Sequence, residues 1–396
     1  MASRDVTAAA PMCVLALNAG SSSLKFGVFE VDATTCHAIL SGQSERGGVL
    51  TARGSDGQEM AGIHVADDAE GAMTAIADML AKGSIRAPEA VGHRIVHGGP
   101  SVRDHIRVDD AVLAALKAAA AFAPLHVPPA LSLLQSARHR YRDVPHVACL
   151  DTAFHHTMPD VARTLPIPAS LRARGIERYG FHGLSCASIV RQLGQDLPPR
   201  VVIAHLGHGA SVTAVSNGRS VDTSMGLTPS GGVMMSTRTG DIDPGVLLYV
   251  LRESIKDAGH LETMIDKQSG LLGVSGVSDD MRTLRDAAAD SADAGLAIEM
   301  FCYAVRKHIS AMGAVLGGID LLVFTGGIGE HDALARAAIC QGLDAWGIGS
   351  GIDNHGRVRV MATDENSEIA RHARDIACGA GEGTVAFAVQ SATRRS

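Results

Sequence analysis

The segment Cys13–Val31 constrains the fold more than any other stretch of the chain. It reads as an apolar run, Cys13-Val-Leu-Ala-Leu, a polar turn, Asn18-Ala-Gly20-Ser-Ser-Ser, and a second run, Leu24-Lys25-Phe-Gly-Val-Phe-Glu-Val31. Glycine and serine let a backbone approach an anion closely and offer N–H and hydroxyl donors to it. Phe26, Val28 and the β-branched Val31 continue an extended pattern, so the turn joins two strands. A P-loop or a dinucleotide fingerprint would open a helix here, and neither motif is present. A second strand–turn–strand follows about halfway along the chain, Val201-Val-Ile-Ala-His205-Leu206-Gly207-His208-Gly209-Ala-Ser-Val-Thr-Ala-Val-Ser216. It leads into Asn217-Gly218, a strong hairpin-turn signal. The pair suggests an internal duplication with one hairpin per half; taken alone, it is equally compatible with two unrelated glycine turns.

Length supports two domains, because 396 residues exceed the roughly 250–300 that one hydrophobic core sustains. Helical and strand patterns alternate throughout, which favours an α/β architecture, and the boundary is expected near 150, before Asp151. A net charge of −7 provides no broad basic field and argues against a nucleic-acid surface. Any phosphate must therefore be held by a few placed Arg and Lys residues. The seven cysteines are scattered with no C-x-x-C pair, as expected of reduced thiols in a cytoplasmic protein. No H-E-x-x-H occurs among the 18 histidines, and no apolar run approaches the ~18 residues of a membrane span. Met1 to Pro11 lacks the apolar centre of a signal peptide and reads as a loose tail.

Between the hairpins the pattern predicts a strand at Val91–His97, helices at about Asp109–Phe122 and Pro129–Tyr141, and a strand at His146–Leu150. Beyond them, Asp243-Pro244 is expected to start a helix running to about Ser254, and Ser278 to open another. A strand at Leu321–Phe324 should enter a glycine turn, Thr325–Glu330, that feeds a helix from Asp332 to Gln341. Four groups carry candidate chemistry. In Val91-Gly-His-Arg94-Ile-Val96, alternation would put Arg94 and Val96 on one face about 6.6 Å apart. A guanidinium beside a short apolar side chain suits a small carboxylate with a stubby alkyl tail; a strand arginine in a salt bridge is the bland reading. Asp151 follows a strand, where α/β proteins place ligands, yet it could equally cap a helix. His182 lies in the glycine-bounded turn Arg178-Tyr-Gly-Phe181-His182-Gly183, as a catalytic or a merely hydrogen-bonded histidine. Ser236-Thr-Arg238-Thr-Gly-Asp241-Ile-Asp243 places an arginine that could bind phosphoryl oxygens beside two carboxylates that hold the loop or metal-bound water, or forms a self-capped loop.

The order and length of these stretches carry a resemblance. L-N-A-G-S-S-S-L-K (17–25), H-R-I-V-H-G-G (93–99), A-P-L-H-V-P-P (123–129), D-T-A-F-H-H-T-M-P (151–159), R-Y-G-F-H-G (178–183), H-L-G-H-G-A-S (205–211), M-M-S-T-R-T-G-D-I-D-P-G (234–245), F-T-G-G-I-G-E (324–330) and T-D-E (363–365) together resemble the acetokinase family. That family belongs to the acetate and sugar kinase/heat-shock ATPase/actin superfamily. The resemblance implies two duplicated actin-like (ribonuclease H-like) α/β domains with a cleft between them, over 12–150 and 151–365, with 366–396 returning to the first. It implies reversible, Mg²⁺-dependent transfer of the ATP γ-phosphoryl group to acetate, giving acetyl phosphate and ADP (Mn²⁺ being an alternative metal), in a cytoplasmic homodimer. By the same resemblance Asp151, His182 and Arg238 are catalytic. Lys25, Arg94, Val96, Leu125, Phe181 and Pro229 bind the acceptor. His205, Leu206, Gly207, His208, Gly209, Asp280, Met281, Arg282, Gly327, Ile328, Gly329, Glu330 and His331 bind the nucleotide, and Asn18 and Glu365 serve the metal.

The chain departs from the family pattern at Leu184 and Cys186, at Ser230-Gly231 and at Ser236. His208 and His331 also stand where asparagine is usual, both in loops expected to contact nucleotide. The rival readings are a propionate or butyrate kinase of the same family, a sugar kinase and an actin-like ATPase. Val96 favours acetate, because a smaller residue would admit a further methylene, and Arg94 favours an anionic acceptor over a sugar.

Overall fold

The computed structural model describes residues 10–379, except 21–22, 46–47, 66–67, 254–256 and 350–355. Serines 21 and 22 of the first turn, and residues 380–396 of the C-terminal segment, lie outside the described residues. The chain divides into two compact units at Ala153/Phe154 and Thr363/Asp364, with the described residues from Asp364 to Gly379 belonging to the first.

The first unit is built on strands β1 (Met12–Ala19), β2 (Ser23–Val31), β3 (Cys36–Glu45), β4 (Val49–Gly54), β5 (Glu59–His64), β6 (Ala90–Ile95), β7 (Ile106–Arg107) and β8 (His146–Leu150). Their spatial order is β5-β4-β3-β2-β1-β6-β8-β7. One face of the sheet buries Leu15, Leu17, Phe26 and Val91 together with Met73, Ile76, Leu133 and Ala137, which come from helices Ala69–Lys82 and Val127–Arg140. Alternation turns Gly92 to the other face, against the C-terminal helix Glu365–Ala377. A Cβ at Gly92 would lie 2.5 Å from Ile369 Cγ2 and 2.9 Å from the Ile369 carbonyl, so this glycine is what lets the helix sit directly on β6.

The second unit carries β9 (Arg200–Leu206), β10 (Ala210–Ser216), β11 (Arg219–Thr223), β12 (Leu321–Thr325) and β13 (Val358–Val360), ordered β11-β10-β9-β12-β13. Helix Gly183–Leu193 packs Cys186, Ile189 and Leu193 onto Val201, Ile203 and Val323, and the 25-residue helix Ala292–Leu316 crosses β9 and β10. Strand for strand, β3-β2-β1-β6-β8 and β11-β10-β9-β12-β13 share one order. In both, the hairpin side is antiparallel and the other side parallel. The two recurring glycine turns thus belong to a duplicated fold of the actin-like kind. Asn217 and Gly218 both adopt positive φ (48° and 79°), the conformation a tight β10–β11 hairpin requires.

Several elements differ from the sequence expectation. β6 ends at Ile95, so Val96 lies beyond the strand, and its sharing a face with Arg94 no longer follows from alternation. The helix expected from Asp109 to Phe122 is Asp110–Ala118, capped by Asp109, and tightens into a 3₁₀ turn at Ala119–Phe122 ahead of Pro124. Helix Met281–Ala287 is capped by Asp280, which accepts from the N–H groups of Arg282 and Thr283. Ser278 instead accepts from the Asp280 N–H and shapes the turn leading in. The glycine turn after β12 is itself helical over Gly326–His331, and Asp332 caps a separate helix, Ala333–Cys340. Gly326 makes this possible: at φ 78° its Cβ position would stand 2.7 Å from the Leu206 carbonyl oxygen.

Candidate active site

In the first unit a chain of polar contacts joins four of the expected residues. Parallel pairing of β6 with β8 sets Arg94 opposite Cys149 and brings it near Asp151, just beyond the end of β8. Arg94 Nε and Nη2 donate to Asp151 Oδ2 at 2.9 and 2.6 Å, and Nη1 donates to Asn18 Oδ1 at 3.1 Å. Asn18 Nδ2 donates in turn to Glu365 Oε2 at 2.9 Å, from the first residue of the C-terminal helix. Asp151 is 1% exposed, and its second oxygen, Oδ1, is buried without a hydrogen-bond partner. Burial pushes the Asp151 carboxyl above the usual range, against the pull of the Arg94 guanidinium. For Arg94 burial acts against the charge, but Asp151 and Glu365 outweigh it and raise its pKa. The salt-bridge reading of Arg94 is therefore correct as a contact, and its partner is the other candidate. Lys25 faces Asn18 across the β1–β2 ladder and is exposed. Beside it, a cavity of about 530 Å³ is lined by Lys25, Gln43, Thr51, Arg53 and Asn366.

In the second unit His182 occupies the left-handed region (φ 59°, ψ 27°) at the N-terminus of helix Gly183–Leu193. This costs a non-glycine residue free energy that packing must hold in place. Ser211 Oγ lies 3.0 Å from His182 Nδ1, and the ring stacks on His205 with centroids 4.2 Å apart, while Ser185 Oγ fixes His205 Nδ1 at 2.8 Å. Arg238 donates to the Pro229 carbonyl at 3.2 Å. His182 Nε2 and Arg238 Nη1 converge on Gly209, where an added Cβ would stand 3.2 and 3.4 Å from them. The Arg238 loop is held by Asp241, which accepts from the Gly232 N–H, and by Asp243, which accepts from Gly245.

Beside this group lies a cavity of about 770 Å³, lined by Gly207, His208, Asp280, Met281, Arg282, Gly327, Ile328 and His331 among the expected residues. His205, Leu206, Gly209, Gly329 and Glu330 do not line it; Glu330 accepts from the Gly326 N–H and braces the turn. The cavity also takes in Ser236, Asp279, Arg285, Asp332 and Leu334, which sequence reasoning did not assign to it. Arg285 clamps Asp332 with contacts of 2.8 to 3.1 Å, tying helix Met281–Ala287 to the start of helix Ala333–Cys340. His208 Nδ1 lies 3.7 Å from Asp279. Burial and the nearby Arg238 charge lower the His208 pKa, and Asp279 partly opposes them. Of the expected acceptor residues, Val96 and Leu125 lie in the first unit and Phe181 and Pro229 in the second; Val96, Phe181 and Pro229 are buried.

A duplicated actin-like fold with a cavity walled by glycine turns is the architecture that ATP-dependent kinases share with actin-like ATPases. A family model described as the acetokinase family matches residues 13–374, and the chain belongs to that family. An acetate kinase of Rhodopseudomonas palustris is 39% identical over 400 residues, covering 92% of this chain and 98% of its own. A propionate kinase of Citrobacter rodentium is 41% identical over 391 residues, covering 92% and 96%. The crystal structure of Porphyromonas gingivalis acetate kinase matches with a TM-score of 0.81 at 32% identity, covering 92% of this chain and 99% of that one. The chain is accordingly a kinase whose phosphoryl acceptor is a carboxylate.

Proposed function

We propose that the chain is an acetate kinase that transfers the ATP γ-phosphoryl group reversibly to acetate. The observation that carries this reading is the state of Arg94. Of its five N–H donors, three are engaged by Asp151 and Asn18, which fix the plane of the guanidinium. One N–H on each Nη remains to donate to a carboxylate. Acetate is already ionised at neutral pH, so no base is needed to create the nucleophile. We assign Asp151 to orienting Arg94, and the acceptor through it. Arg238 and His182 we assign to the phosphoryl oxygens, where preorganised donors reduce the barrier most. The cavity lined by His208, Asp280, Arg282 and Ile328 takes the nucleotide.

The donors also fit a hard cation. Asn18 and Glu365 offer oxygen ligands, and Asp151 Oδ1 is buried without a partner. No cluster of three or more His, Cys, Asp or Glu residues able to hold a metal occurs among the described residues. Mg²⁺ is the ion we assign, since it keeps waters and takes substrate phosphates alongside one or two carboxylates; Mn²⁺ is the alternative. Such an ion supplies charge neutralisation on the transferring group. We also read the chain as a cytoplasmic homodimer. Leu296, Met300 and Tyr303, at helical spacing on Ala292–Leu316, are 47%, 41% and 58% exposed and form an apolar stripe suited to a second copy. No described helix is long and apolar enough to cross a membrane.

Trapping acyl phosphate with hydroxylamine tests the reading. Acetate with ATP and Mg²⁺ should yield hydroxamate, propionate less, butyrate little and glycerol none; absence of product with every short acid would refute it. Propionate kinase is the second reading, favoured by the Citrobacter relative. Val96→Ala should raise the propionate-to-acetate ratio of kcat/KM about tenfold, since one methylene in an apolar pocket is worth roughly 1–3 kcal/mol. A wild type that prefers propionate would establish the second reading instead.

A further inference from the structure

A second polar cavity, of about 560 Å³, opens in the first unit, and none of the residues lining it belongs to the Arg94–Asp151 network. Its walls carry Arg107 from β7, Arg138 and His139 from the last turn of helix Val127–Arg140, Arg142 just beyond that helix, and His146 at the start of β8. Three guanidiniums and two imidazoles thus face one space on a chain whose net charge is −7. Among the described residues only Arg138 of these has an acidic partner, Asp110 at 3.3 Å, a residue that is itself largely in solvent. The Arg107 side chain has no hydrogen-bond or ion-pair partner among the described residues. Among the described residues Arg142 bonds only to the His139 carbonyl and ring.

Basic residues at a helix C-terminus are ordinarily explained by the half-charge of the helix dipole. That explains one cation here, not three, and it does not reach Arg107, which stands on a strand. His146 gives the cavity a rigid wall: it is 5% exposed and is held by bonds of 2.9 Å to the Tyr141 carbonyl and 3.0 Å to His93. We propose that this cavity binds a small multivalent oxyanion, a phosphate-bearing or polycarboxylate metabolite, outside the catalytic centre. Guanidiniums on two sides match an anion with several oxygens, each fork accepting a pair of them. Arg107 and Arg142 lack an acidic partner among the described residues, and a monovalent acid such as acetate would leave one of them without a counter-charge.

The test is titration calorimetry on the full chain with its nucleotide cavity saturated by ADP, using inorganic pyrophosphate and tricarballylate as probes. The wild type should take up one equivalent of at least one probe, and the tighter of the two identifies the ligand as phosphate-bearing or polycarboxylate. Arg107→Ala and Arg142→Ala should each weaken uptake about tenfold, as expected for loss of a charge-assisted contact, and binding should weaken further as salt is raised. Both side chains are exposed, so the fold should be unaffected, and an unchanged thermal midpoint would confirm it. Arg359→Ala, an exposed arginine of β13, should bind as the wild type does. Absence of saturable uptake of either probe, or uptake that both cavity variants retain unchanged, would overturn the proposal.

Discussion

Asp151 is 1% exposed with one oxygen already lacking a partner, and replacing Arg94 by Ala would take both donors from the other. Breaking a buried ion pair from one side costs about 3–5 kcal/mol. A second route gives the same size. If the stranded carboxyl stays protonated in the fold at pH 7, while it ionises near 3.9 in the unfolded chain, the deficit is roughly 3 units at 1.36 kcal/mol each, or about 4 kcal/mol. The sign follows from linkage. The native state of the variant binds a proton the unfolded state has released, so the deficit should grow by up to about 1.4 kcal/mol per pH unit between pH 5 and 7. The lone tryptophan, Trp346, sits in the second unit and reports on that unit alone. Hydrogen exchange at β1, β6 and β8 amides is therefore the probe for the first unit, with Trp346 fluorescence in urea as the internal control. Arg94→Ala should open the first unit and leave the Trp346 transition in place, while Arg94→Met combined with Asp151→Leu should regain most of the loss yet form no acyl phosphate. A single variant within about 0.5 kcal/mol of wild type at pH 7, or a deficit independent of pH, would refute the buried-pair reasoning.

Arg238→Ala should reduce kcat by about 10²-fold or more, as removal of one preorganised donor does elsewhere, with steady-state hydroxamate assays as the check. Gly209→Ala would put a methyl group 3.2 Å from His182 Nε2 and 3.4 Å from Arg238 Nη1. Displacing them by a few tenths of an ångström should cost about tenfold in kcat with an unchanged thermal midpoint. His155 is fully buried between Ser220 and the Phe181 carbonyl, and burial lowers its pKa to about 4. The unfolded chain takes up that proton near 6.5, so stability should be complete above pH 6.5 and fall by roughly 3 kcal/mol as pH drops to 4. Trp346 fluorescence in urea at stepped pH measures this, and His155→Gln should flatten the dependence.

What the sequence revealed and what it hid follow from the range of the interactions. Both hairpins were legible because an apolar run, a glycine turn and a second run lie within some twenty residues. Arg94 and Asp151 each had a bland reading, and the contact between them stayed hidden because it depends on β6 and β8 lying side by side, 57 residues apart in the chain. The same holds for Arg285 with Asp332 and for His208 with Asp279, which no local pattern joins. Ser278 and Asp280 are both good caps, and only the backbone shows that the aspartate takes the helix while the serine takes the turn before it. The strand carrying Arg94 stops at Ile95, two residues short of its expected end, so alternation does not extend to Val96.

The C-terminal helix has a consequence for how the protein is made. Glu365 bonds to Asn18 across 347 residues, and Ile369 packs against β6 at Gly92. As the chain emerges during synthesis, Phe154–Thr363 is available to collapse as an uninterrupted stretch, whereas the sheet that appeared first must wait for the helix that covers it. Until then the face opposite the one covered by helices Ala69–Lys82 and Val127–Arg140 is exposed, the condition under which nascent chains aggregate or recruit chaperones. Asn18 also lacks Glu365 until that moment, so the proposed metal donors assemble last, and a ribosome-bound chain should acquire its second unit well before it can act on any substrate.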